Sequence, residues 1–430
     1  MNVKGSVSVP GDKSLTHRLL FLAGLAPGNS RLRGPLTSLD ARSTARMLRS
    51  LGIPISPLRP DRDVIIEGRA HFRPPVRVLD CGNSGTTVRL GLGLLAAHRF
   101  STRLTGDKSL SKRPMRRVTE PLAQMGAHFG PGDPDRLPLT IRGGPLKALE
   151  WRLPVSSAQI KGCLLFAGLA GKVPVALLEP SGRSRDHSER LLRSFGYSVV
   201  EDPAGWIRFT PTGSLTPFDL AVPGDPSSAA FLVGAALLAE SGQLRITGVG
   251  LNPTRTGFLR VLERMGAGVA VSPGGDRCGE PVGELTVEPG PLRATTVTAQ
   301  EIPALIDEVP ILAVLASRAQ GETRFHEVGE LRVKESDRLG LLAANLRAVG
   351  ARAAVEGDAL VIEGGEAPPA GRVRTEADHR IAMAFAALRA VRGSRIRIDN
   401  LACADVSFPR FAATLRSVLE RQARRPVAAR

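Results

Sequence analysis

The chain has 430 residues, of which 58 are Lys or Arg and 41 are Asp or Glu, so its formal net charge is +17. This length exceeds one ordinary hydrophobic core and predicts two or more domains. Aromatic residues are 4% of the chain, which argues against a surface that stacks nucleic-acid bases. No apolar stretch is long enough to cross a membrane, and the N-terminal residues do not resemble a signal peptide. We therefore expect a cytoplasmic protein.

Five segments along the chain have the pattern of an amphipathic helix that ends at a glycine. Such a glycine accepts the left-handed conformation that closes a helix, and a strand is expected after each copy. In chain order, the segments are RMLRSLG (46–52), PLAQMGA (121–127), RLLRSFG (190–196), RVLERMGA (260–267) and NLRAVGA (345–351). Their recurrence predicts a fold built from one α/β unit used repeatedly.

A second recurring feature is a polar Ser/Gly turn that opens an apolar helix. The copies are KSLTHRLLFLAGLA, NSGTTVRLGLGLLAA, SSAQIKGCLLFAGLAG and PSSAAFLVGAALLAE. Serine or asparagine at a helix start caps free N–H groups, and the helix dipole makes that end partly positive. Capping alone would explain any single turn. Several such turns, with Lys13, Arg18, Arg113 and Lys161 beside them, predict a shared site for phosphate and carboxylate groups.

Cysteine and histidine spacing gives no sign of a metal site or a disulfide framework. Cys81, Cys163, Cys278 and Cys403 are far apart in the sequence and form no CxxC pair, and the seven histidines show no HExxH spacing. We therefore expect buried free thiols, no bound metal and no disulfide.

Nine segments, taken together and in order, resemble the 5-enolpyruvylshikimate-3-phosphate (EPSP) synthase family. They run from the N-terminus to about residue 410, so that the resemblance covers nearly the whole chain. The segments are VPGDKSLTHR, DCGNSGTTVR, SKRPM, VSSAQIKG, VPGDPSSAAF, NPTRTG, IDEVPILA, ELRVKESDRL and DHRIAMA.

The resemblance implies an α/β fold: a two-domain inside-out α/β barrel of about six repeated βαβαββ units. The chain would cross between the domains near VPGDK and again near VPGDP. One domain would then be discontinuous, with residues 1–12 and 226–430, and would carry the carboxylates that transfer protons. The inserted domain, residues 13–225, would make most contacts with shikimate phosphate.

The resemblance also implies the reaction. The 5-hydroxyl of shikimate 3-phosphate attacks C2 of phosphoenolpyruvate while C3 is protonated, and phosphate leaves from a tetrahedral intermediate. Both partners are small anions, and no cofactor or metal is expected. We also expect no specific nucleic acid, no membrane association and a monomer. Such chemistry requires cationic groups around phosphate and carboxylate, together with groups that move protons.

Family site positions carry over residue by residue onto matching motifs. Asp307 and Glu335 match the proton-transfer carboxylates; we expect Asp307 to serve the attacking hydroxyl and Glu335 the methylene, with Lys13 a third catalytic group. The positions that match shikimate 3-phosphate contacts are Lys13, Ser14, Arg18, Ser157, Gln159, Arg185, Asp307 and Lys334. The positions that match phosphoenolpyruvate contacts are Lys13, Gly85, Arg113, Gln159, Arg338 and Arg380. Arginine suits these contacts because its planar fork binds an anion through two hydrogen bonds.

Some motif residues have no family role or depart from the family pattern. The string GDKSL occurs twice, but only Lys13 and Ser14 of the first copy match site positions, so we expect Lys108 and Ser109 to be structural turn residues. His379 stays open between a core histidine and a site residue. Many family members carry a lysine before the C-terminal SFP, where this chain has Val406, so one cation for phosphoenolpyruvate is missing or supplied elsewhere.

Two other functions remain as alternatives. The sister enolpyruvyl transferase acts on a UDP-linked amino sugar and typically has a cysteine in the loop that here is GDKSLSKRP, which contains none. The more distant alternative is a basic RNA-binding protein on a related repeated fold, for which salt-dependent RNA binding would be the evidence.

Overall fold

The computed structural model describes residues 1–180 and 183–420 as a mixed α/β protein. The α-helices are α1 Lys13–Leu25, α2 Leu39–Ser50, α3 Gly85–Ala96, α4 Arg116–Met125, α5 Ala158–Gly171, α6 His187–Ser194, α7 Pro226–Leu237, α8 Gly257–Arg264, α9 Val309–Ala316, α10 Arg338–Ala348, α11 His379–Ala387 and α12 Phe411–Val418. Short 3₁₀ turns cover Leu110–Lys112, Ile302–Ala304, Gly329–Val333, Leu388–Ala390 and Leu401–Val406. Among these described residues, no helix is long and apolar enough to cross a membrane.

The strands are short and alternate with the helices along the chain. They are β1 Asn2–Ser8, β2 Gly28–Arg33, β3 Val64–Gly68, β4 Leu79–Asp80, β5 Ser101–Thr105, β6 His128–Phe129, β7 Leu139–Arg142, β8 Leu149–Arg152, β9 Val175–Leu178, β10 Ser198–Glu201, β11 Ile207–Thr210, β12 Asp219–Ala221, β13 Ser241–Gly250, β14 Gly268–Arg277, β15 Glu280–Glu288, β16 Thr296–Val297, β17 Glu322–Phe325, β18 Arg352–Glu356, β19 Ala359–Glu363, β20 Ala370–Val373, β21 Arg395–Ile398 and β22 Leu419–Glu420.

The sheets repeat one strand order. In the sheets β4-β5-β7-β6, β8-β9-β11-β10 and β16-β17-β19-β18, the first strand lies parallel to the second and the other pairings are antiparallel. A helix separates the two parallel strands in the chain, as a parallel crossover requires. The same local sequence pattern therefore gives the same sheet several times.

Two strands are exchanged between the N-terminal and C-terminal parts of the chain. The first strand, β1, lies parallel to β13 of the later part, in register from Asn2↔Ser241 to Ser8↔Thr247. Conversely, β12 lies parallel to β2 of the earlier part. Each strand supplies the parallel partner that the local repeat would otherwise lack.

The two crossing segments, VPGD at residues 9–12 and VPGD at residues 222–225, lie side by side. The Asp12 amide donates to the Pro223 carbonyl (2.7 Å), and the Asp225 amide donates to the Pro10 carbonyl (2.9 Å). Both carboxylates bind the buried guanidinium of Arg255, at 3.1 Å from Asp12 and 3.2 Å from Asp225. One buried cation thus ties the two crossings together.

The buried apolar side chains fall into two clusters on either side of these crossings. One cluster joins Val3 and Val9 to side chains between residues 229 and 418. The other contains side chains between residues 15 and 222, together with Cys278. All four cysteines are free and buried, as expected from their spacing.

The five glycine-closed helices are confirmed. Helices α2, α4, α6, α8 and α10 each end one or two residues before the expected glycine, and all five glycines have positive φ: Gly52 (86°), Gly126 (112°), Gly196 (84°), Gly266 (73°) and Gly350 (95°). A residue with a Cβ is disfavoured in this conformation, so these positions select glycine.

Gly350→Ala tests the closure of α10. A Cβ at this position would meet open space, so that the cost should come from the positive φ alone. We expect the free energy of unfolding to fall by about 1–2 kcal/mol in urea titration. Gly365→Ala is the matched control, because its added Cβ also meets open space but its φ lies outside the left-handed region. Equal stability of the two variants would contradict the assignment.

Candidate active site

A cavity of about 430 Å³ lies where the two parts of the chain face each other. It is lined by eight cationic side chains, Lys13, Arg18, Arg89, Arg113, Arg117, Arg185, Lys334 and Arg380. Four carboxylates also line it: Asp307, Glu327, Glu330 and Glu335. Eight positive and four negative groups leave a formal charge of +4, so that the cavity is complementary to an anion.

The start of α1 contributes three of the expected residues. The Asp12 carboxylate caps the helix by accepting from the Leu15 amide (2.8 Å), and Lys13 follows it at the rim of the cavity. The Lys13 ammonium contacts the Asp40 carboxylate of α2 at 3.2 Å. Ser14 lines the cavity beside Lys13. The Lys13 amide donates to the Asp225 carboxylate (3.0 Å), so two of the first amides of α1 are already bound to carboxylates.

Arg18 lies one turn further along α1 and is held by three hydrogen bonds. Its Nε donates to Ser188 Oγ (2.8 Å), and its two terminal nitrogens donate to the carbonyls of Ser14 (3.0 Å) and Ala158 (3.1 Å). Burial lowers the pKa of Arg18 to about 10, with Glu189 and Asp12 acting in the opposite direction. The guanidinium therefore stays charged at neutral pH and fixed in direction.

The starts of α3 and α5 meet at a second arginine. Arg89 donates to the Gln159 side-chain oxygen and to the Pro114 carbonyl (3.0 Å), while the Gln159 amide donates to Thr86 Oγ1 (3.1 Å). Burial first, and then the charge of Arg113, lower the pKa of Arg89 to about 10. The sequence reasoning missed Arg89, although it stands in the NSGTTVR motif one turn after Gly85.

Asp307 lies among arginines from both parts of the chain. Its carboxylate forms an ion pair with Arg185 and lies 3.5 Å from Arg380 and 3.6 Å from Arg338. Burial raises the pKa of Asp307, but the charges of Arg380, Arg185, Lys334 and Arg338 outweigh burial and hold the pKa well below its usual range. Asp307 is therefore ionised in the absence of a ligand.

Glu335, like Asp307, lies among cationic side chains. Its carboxylate lies 2.5 Å from the guanidinium of Arg338, whose Nε also contacts the Asp378 carboxylate at 2.9 Å. Burial raises the pKa of Glu335, but the charge of Arg338, with those of Arg113 and Lys13, holds it well below its usual range. Burial lowers the pKa of the adjacent Lys334, against the opposing charge of Asp307.

Among the described residues, several contacts join the two parts of the chain around the cavity. Besides the Arg185–Asp307 pair, Arg117 donates to the Glu330 carboxylate (3.3 Å) and Ser109 Oγ donates to the Glu335 carbonyl (3.3 Å). The second GDKSL copy therefore does more than form a turn. Lys108, next to Ser109, is exposed, as expected for a structural turn residue.

Most of the expected site residues surround one cavity. Those that line it are Lys13, Ser14, Arg18, Arg113, Ser157, Gln159, Arg185, Asp307, Lys334, Glu335 and Arg380. Gly85 and Arg338 lie outside the lining, although an added Cβ at Gly85 would come within 3.3 Å of the Arg113 guanidinium. Arg338 is fully buried beneath Glu335. Val406 is also outside the lining, in the last 3₁₀ turn.

The expectation that Lys161 belongs to the anion site is wrong. Its ammonium is buried between the carboxylates of Glu179 (3.0 Å) and Glu189 (2.7 Å) and also donates to the Ser184 carbonyl (3.3 Å). Both negative partners come from elsewhere in the chain, so the sequence next to Lys161 gave no sign of them. Lys161 stabilises the wall behind the cavity rather than the ligand space.

His379 is a buried neutral histidine. Burial lowers its pKa to about 4, although Glu335 acts in the opposite direction. Its Nε2 has no hydrogen-bond partner among the described residues. The unfolded chain would bind a proton near pH 6.5, so between about pH 6.5 and pH 4 the unfolded state holds more protons. Stability contributed by His379 is therefore present above pH 6.5 and lost as the pH falls towards 4.

His379→Gln tests this pH dependence. We expect the native chain to lose roughly 2 kcal/mol more of its unfolding free energy than the variant between pH 7 and pH 5, measured by urea titration. His128→Gln is the control, because His128 is exposed, and this variant should follow the native chain. Parallel pH profiles for the native chain and His379→Gln would refute the burial argument.

Comparisons with known proteins place this geometry in a family. A model of EPSP synthase (3-phosphoshikimate 1-carboxyvinyltransferase) matches residues 1–415. A 3-phosphoshikimate 1-carboxyvinyltransferase from Synechococcus sp. is 44% identical over 420 residues, which cover 95% of both chains. The enzyme of that name from Gloeobacter violaceus is 46% identical over 413 residues, again with 95% of both chains covered.

Solved structures agree with the sequence relatives. EPSP synthase from Acinetobacter baumannii has a TM-score of 0.86 and 36% identity, covering 97% of this chain and 96% of that chain. The enolpyruvyl transferase NikO from Streptomyces tendae shares the fold, with a TM-score of 0.76 at 19% identity over 97% of this chain and 95% of that chain. The resemblance drawn from nine motifs is confirmed: the chain belongs to the EPSP synthase family.

Proposed function

We propose a division of roles for the cavity residues in the reaction of this family, the transfer of the enolpyruvyl group from phosphoenolpyruvate to shikimate 3-phosphate with release of phosphate. The observation that carries the proposal is the pairing of a +4 cavity with two partly buried carboxylates, Asp307 and Glu335. The excess charge suits two anionic substrates. The carboxylates supply the groups that move protons.

Shikimate 3-phosphate would bind along the starts of α1 and α5. The proposed contacts are Lys13, Ser14, Arg18, Ser157, Gln159, Arg185, Asp307 and Lys334. Arg18 supports this role because its three internal hydrogen bonds orient the guanidinium before any ligand arrives. A group oriented in advance loses little entropy when it binds a phosphate.

Phosphoenolpyruvate would bind next to Glu335, between Arg113 of the earlier part and Arg380 of the later part. Its other proposed contacts are Lys13, Gly85, Gln159 and Arg338. Gly85 leaves room beside the Arg113 guanidinium, where even a methyl group would come within 3.3 Å. We propose that Arg89 and Arg117, which line the cavity, supply the positive charge for which many family members use a lysine at the position of Val406.

Substrate binding would change the protonation of the two carboxylates. In the ligand-free cavity their charges balance Arg185, Arg338 and Arg380. Substrate anions would take over these cations, and the pKa values of Asp307 and Glu335 would then rise towards the range of a general acid or base. In this scheme Asp307 accepts the proton of the attacking 5-hydroxyl. Glu335 delivers a proton to the methylene carbon and recovers it when phosphate leaves.

We further propose the domain division 1–12 with 226–430, and 13–225, in an inside-out barrel of about six βαβαββ units. The exchange of β1 and β12 and the two apolar clusters support this division. All twelve residues of α7 are buried, as expected for a helix inside a ring of sheets. Four free cysteines suit a cytoplasmic protein, and we propose that it acts as a monomer.

The alternative of a UDP-amino-sugar transferase has little support. All four cysteines are buried, and none is among the residues that line the cavity. RNA binding at the cavity is likewise unsupported, because no aromatic side chain lines it for base stacking.

Glu335→Gln tests the proposed roles. It should lower kcat by about a hundredfold or more while KM changes little, because an amide keeps the shape but cannot carry the proton. The measurement is phosphate release from phosphoenolpyruvate, which in the native chain should require shikimate 3-phosphate.

Glu330→Gln is the matched control, because Glu330 also lines the cavity but is exposed and binds Arg117 at the rim. We expect its kcat to stay close to that of the native chain. A native rate for Glu335→Gln would remove Glu335 from proton transfer, and equal losses in both variants would reduce its role to general electrostatics.

A further inference from the structure

A second cationic concavity lies on the outer face of α2, with a volume of about 480 Å³. We call it the α2 groove and define it by its lining residues, Arg42, Ala45, Arg46, Arg49, Ile55, Pro57, Leu58 and Arg59. Among the residues that the structure describes, its lining holds four arginines and no carboxylate. None of these residues lines the substrate cavity.

The helix pattern explains why these arginines gather. Arg42, Arg46 and Arg49 are spaced i, i+4 and i+7, so that they share one face of α2. The opposite face carries Asp40, which contacts Lys13 of the substrate cavity at 3.2 Å. The groove and the cavity are therefore separate sites on two sides of one helix.

The positive charge of the α2 groove is poorly balanced within the protein. Arg42 and Arg59 have no side-chain hydrogen bond or ion pair with any described residue. Arg46 lies 3.5 Å from the exposed carboxylate of Asp80, a pair that solvent weakens. Like charges held together without counter-ions favour the binding of an anion.

One arginine is fixed in place in advance. Arg49 donates from Nε to the Ile55 carbonyl (3.1 Å) and from a terminal nitrogen to the Ser56 carbonyl (2.9 Å). These bonds tie α2 to the segment that supplies Ile55 and Leu58, both buried, as an apolar floor. The groove thus has hydrogen-bond donors along its edge and an apolar floor against which an apolar ring can pack.

We propose that the α2 groove binds a small organic polyanion, with two or more negative charges beside an apolar ring, the chemistry of a nucleoside polyphosphate. The guanidinium groups contact the phosphates through charge-assisted hydrogen bonds, and the ring packs on Ile55, Pro57 and Leu58. The volume lies in the range of small-molecule sites.

The test is calorimetric titration of the full chain with ATP, without Mg²⁺, at about 150 mM salt and saturating shikimate 3-phosphate. The double variant Arg42→Glu and Arg46→Glu should weaken ATP binding about tenfold or more, because two charged contacts become repulsive. Should that variant fail to fold, as judged by its thermal unfolding midpoint, Arg42→Gln with Arg46→Gln gives the same test with a smaller loss.

The matched control reverses two arginines elsewhere, Arg352→Glu and Arg392→Glu. Both are highly exposed and, like Arg46, each lies near one carboxylate. This variant should bind ATP as the native chain does. Equal weakening in the two double variants would reduce the effect to net charge and overturn the proposal, as would the absence of ATP binding or its full retention after reversal of Arg42 and Arg46.

A second ligand tests the apolar floor. Inorganic tripolyphosphate carries the phosphates without a ring and should bind the native chain about fivefold or more weakly than ATP, since the ring buries apolar surface. Equal affinity of the two ligands would overturn the assignment of an organic anion. Neither measurement depends on turnover, so its outcome is independent of the catalytic roles proposed above.

Discussion

Positive charge concentrated where the two apolar clusters meet is the constraint on which the rest of the site depends. Cations such as Arg338 and Arg380 are buried or nearly so, and a buried charge without a partner is costly. The protein meets this cost with Asp307, Glu335 and Asp378, which bind these arginines from within. Two of these carboxylates, Asp307 and Glu335, are also the groups that we propose for proton transfer, so that in this proposal stability and catalysis share residues.

The repeated unit explains how distant segments deliver these groups to one place. Helices α1, α3, α5 and α11 each have a residue of the cavity in their first turn. Because the units repeat one strand order, their helix starts converge rather than scatter. The start of α5 has no side-chain cap, so its free N–H groups add to the attraction that Lys13 and Arg380 exert on anions.

The crossings make this convergence possible. Asp12 and Asp225 cap α1 and α7, and both hold Arg255. One carboxylate at each crossing thus fixes a helix start and the path of the chain between the two clusters. Exchange of β1 and β12 has a related effect, because each part of the chain needs a strand from the other to complete its sheet.

Local features of this protein were predictable from the sequence, whereas long-range partners were not. The helix closures at Gly52 to Gly350 follow from glycine in a periodic pattern, and the motifs located Asp307 and Glu335. Lys161 was wrongly assigned to the anion site because its partner Glu179 comes from another segment. The sequence around Lys161 does not indicate that ion pair. Ser109 was predicted to be only a turn residue for the same reason, since its partner lies 226 residues away.

Arg89 differs from these residues, because the sequence itself indicates its place in the site. It follows Gly85 by one helical turn, and a turn of α-helix returns a side chain to the same face. Arg117 likewise lies two residues after the SKRPM motif, four residues beyond Arg113. Inspection of the residue four positions after Gly85 and after Arg113 would have added both arginines to the predicted site.

We expect substrate anions to complete the junction between the two parts of the chain. Without them, the surplus of positive charge opposes the few contacts that bridge the cavity, and exposed pairs such as Arg117–Glu330 add little. Solution X-ray scattering with and without shikimate 3-phosphate tests whether the two parts of the chain come together when the substrate binds. We expect the radius of gyration to decrease at saturating ligand, because the substrate charge would draw the two parts of the chain together. An unchanged radius of gyration would mean that substrate charge does not draw the two parts together.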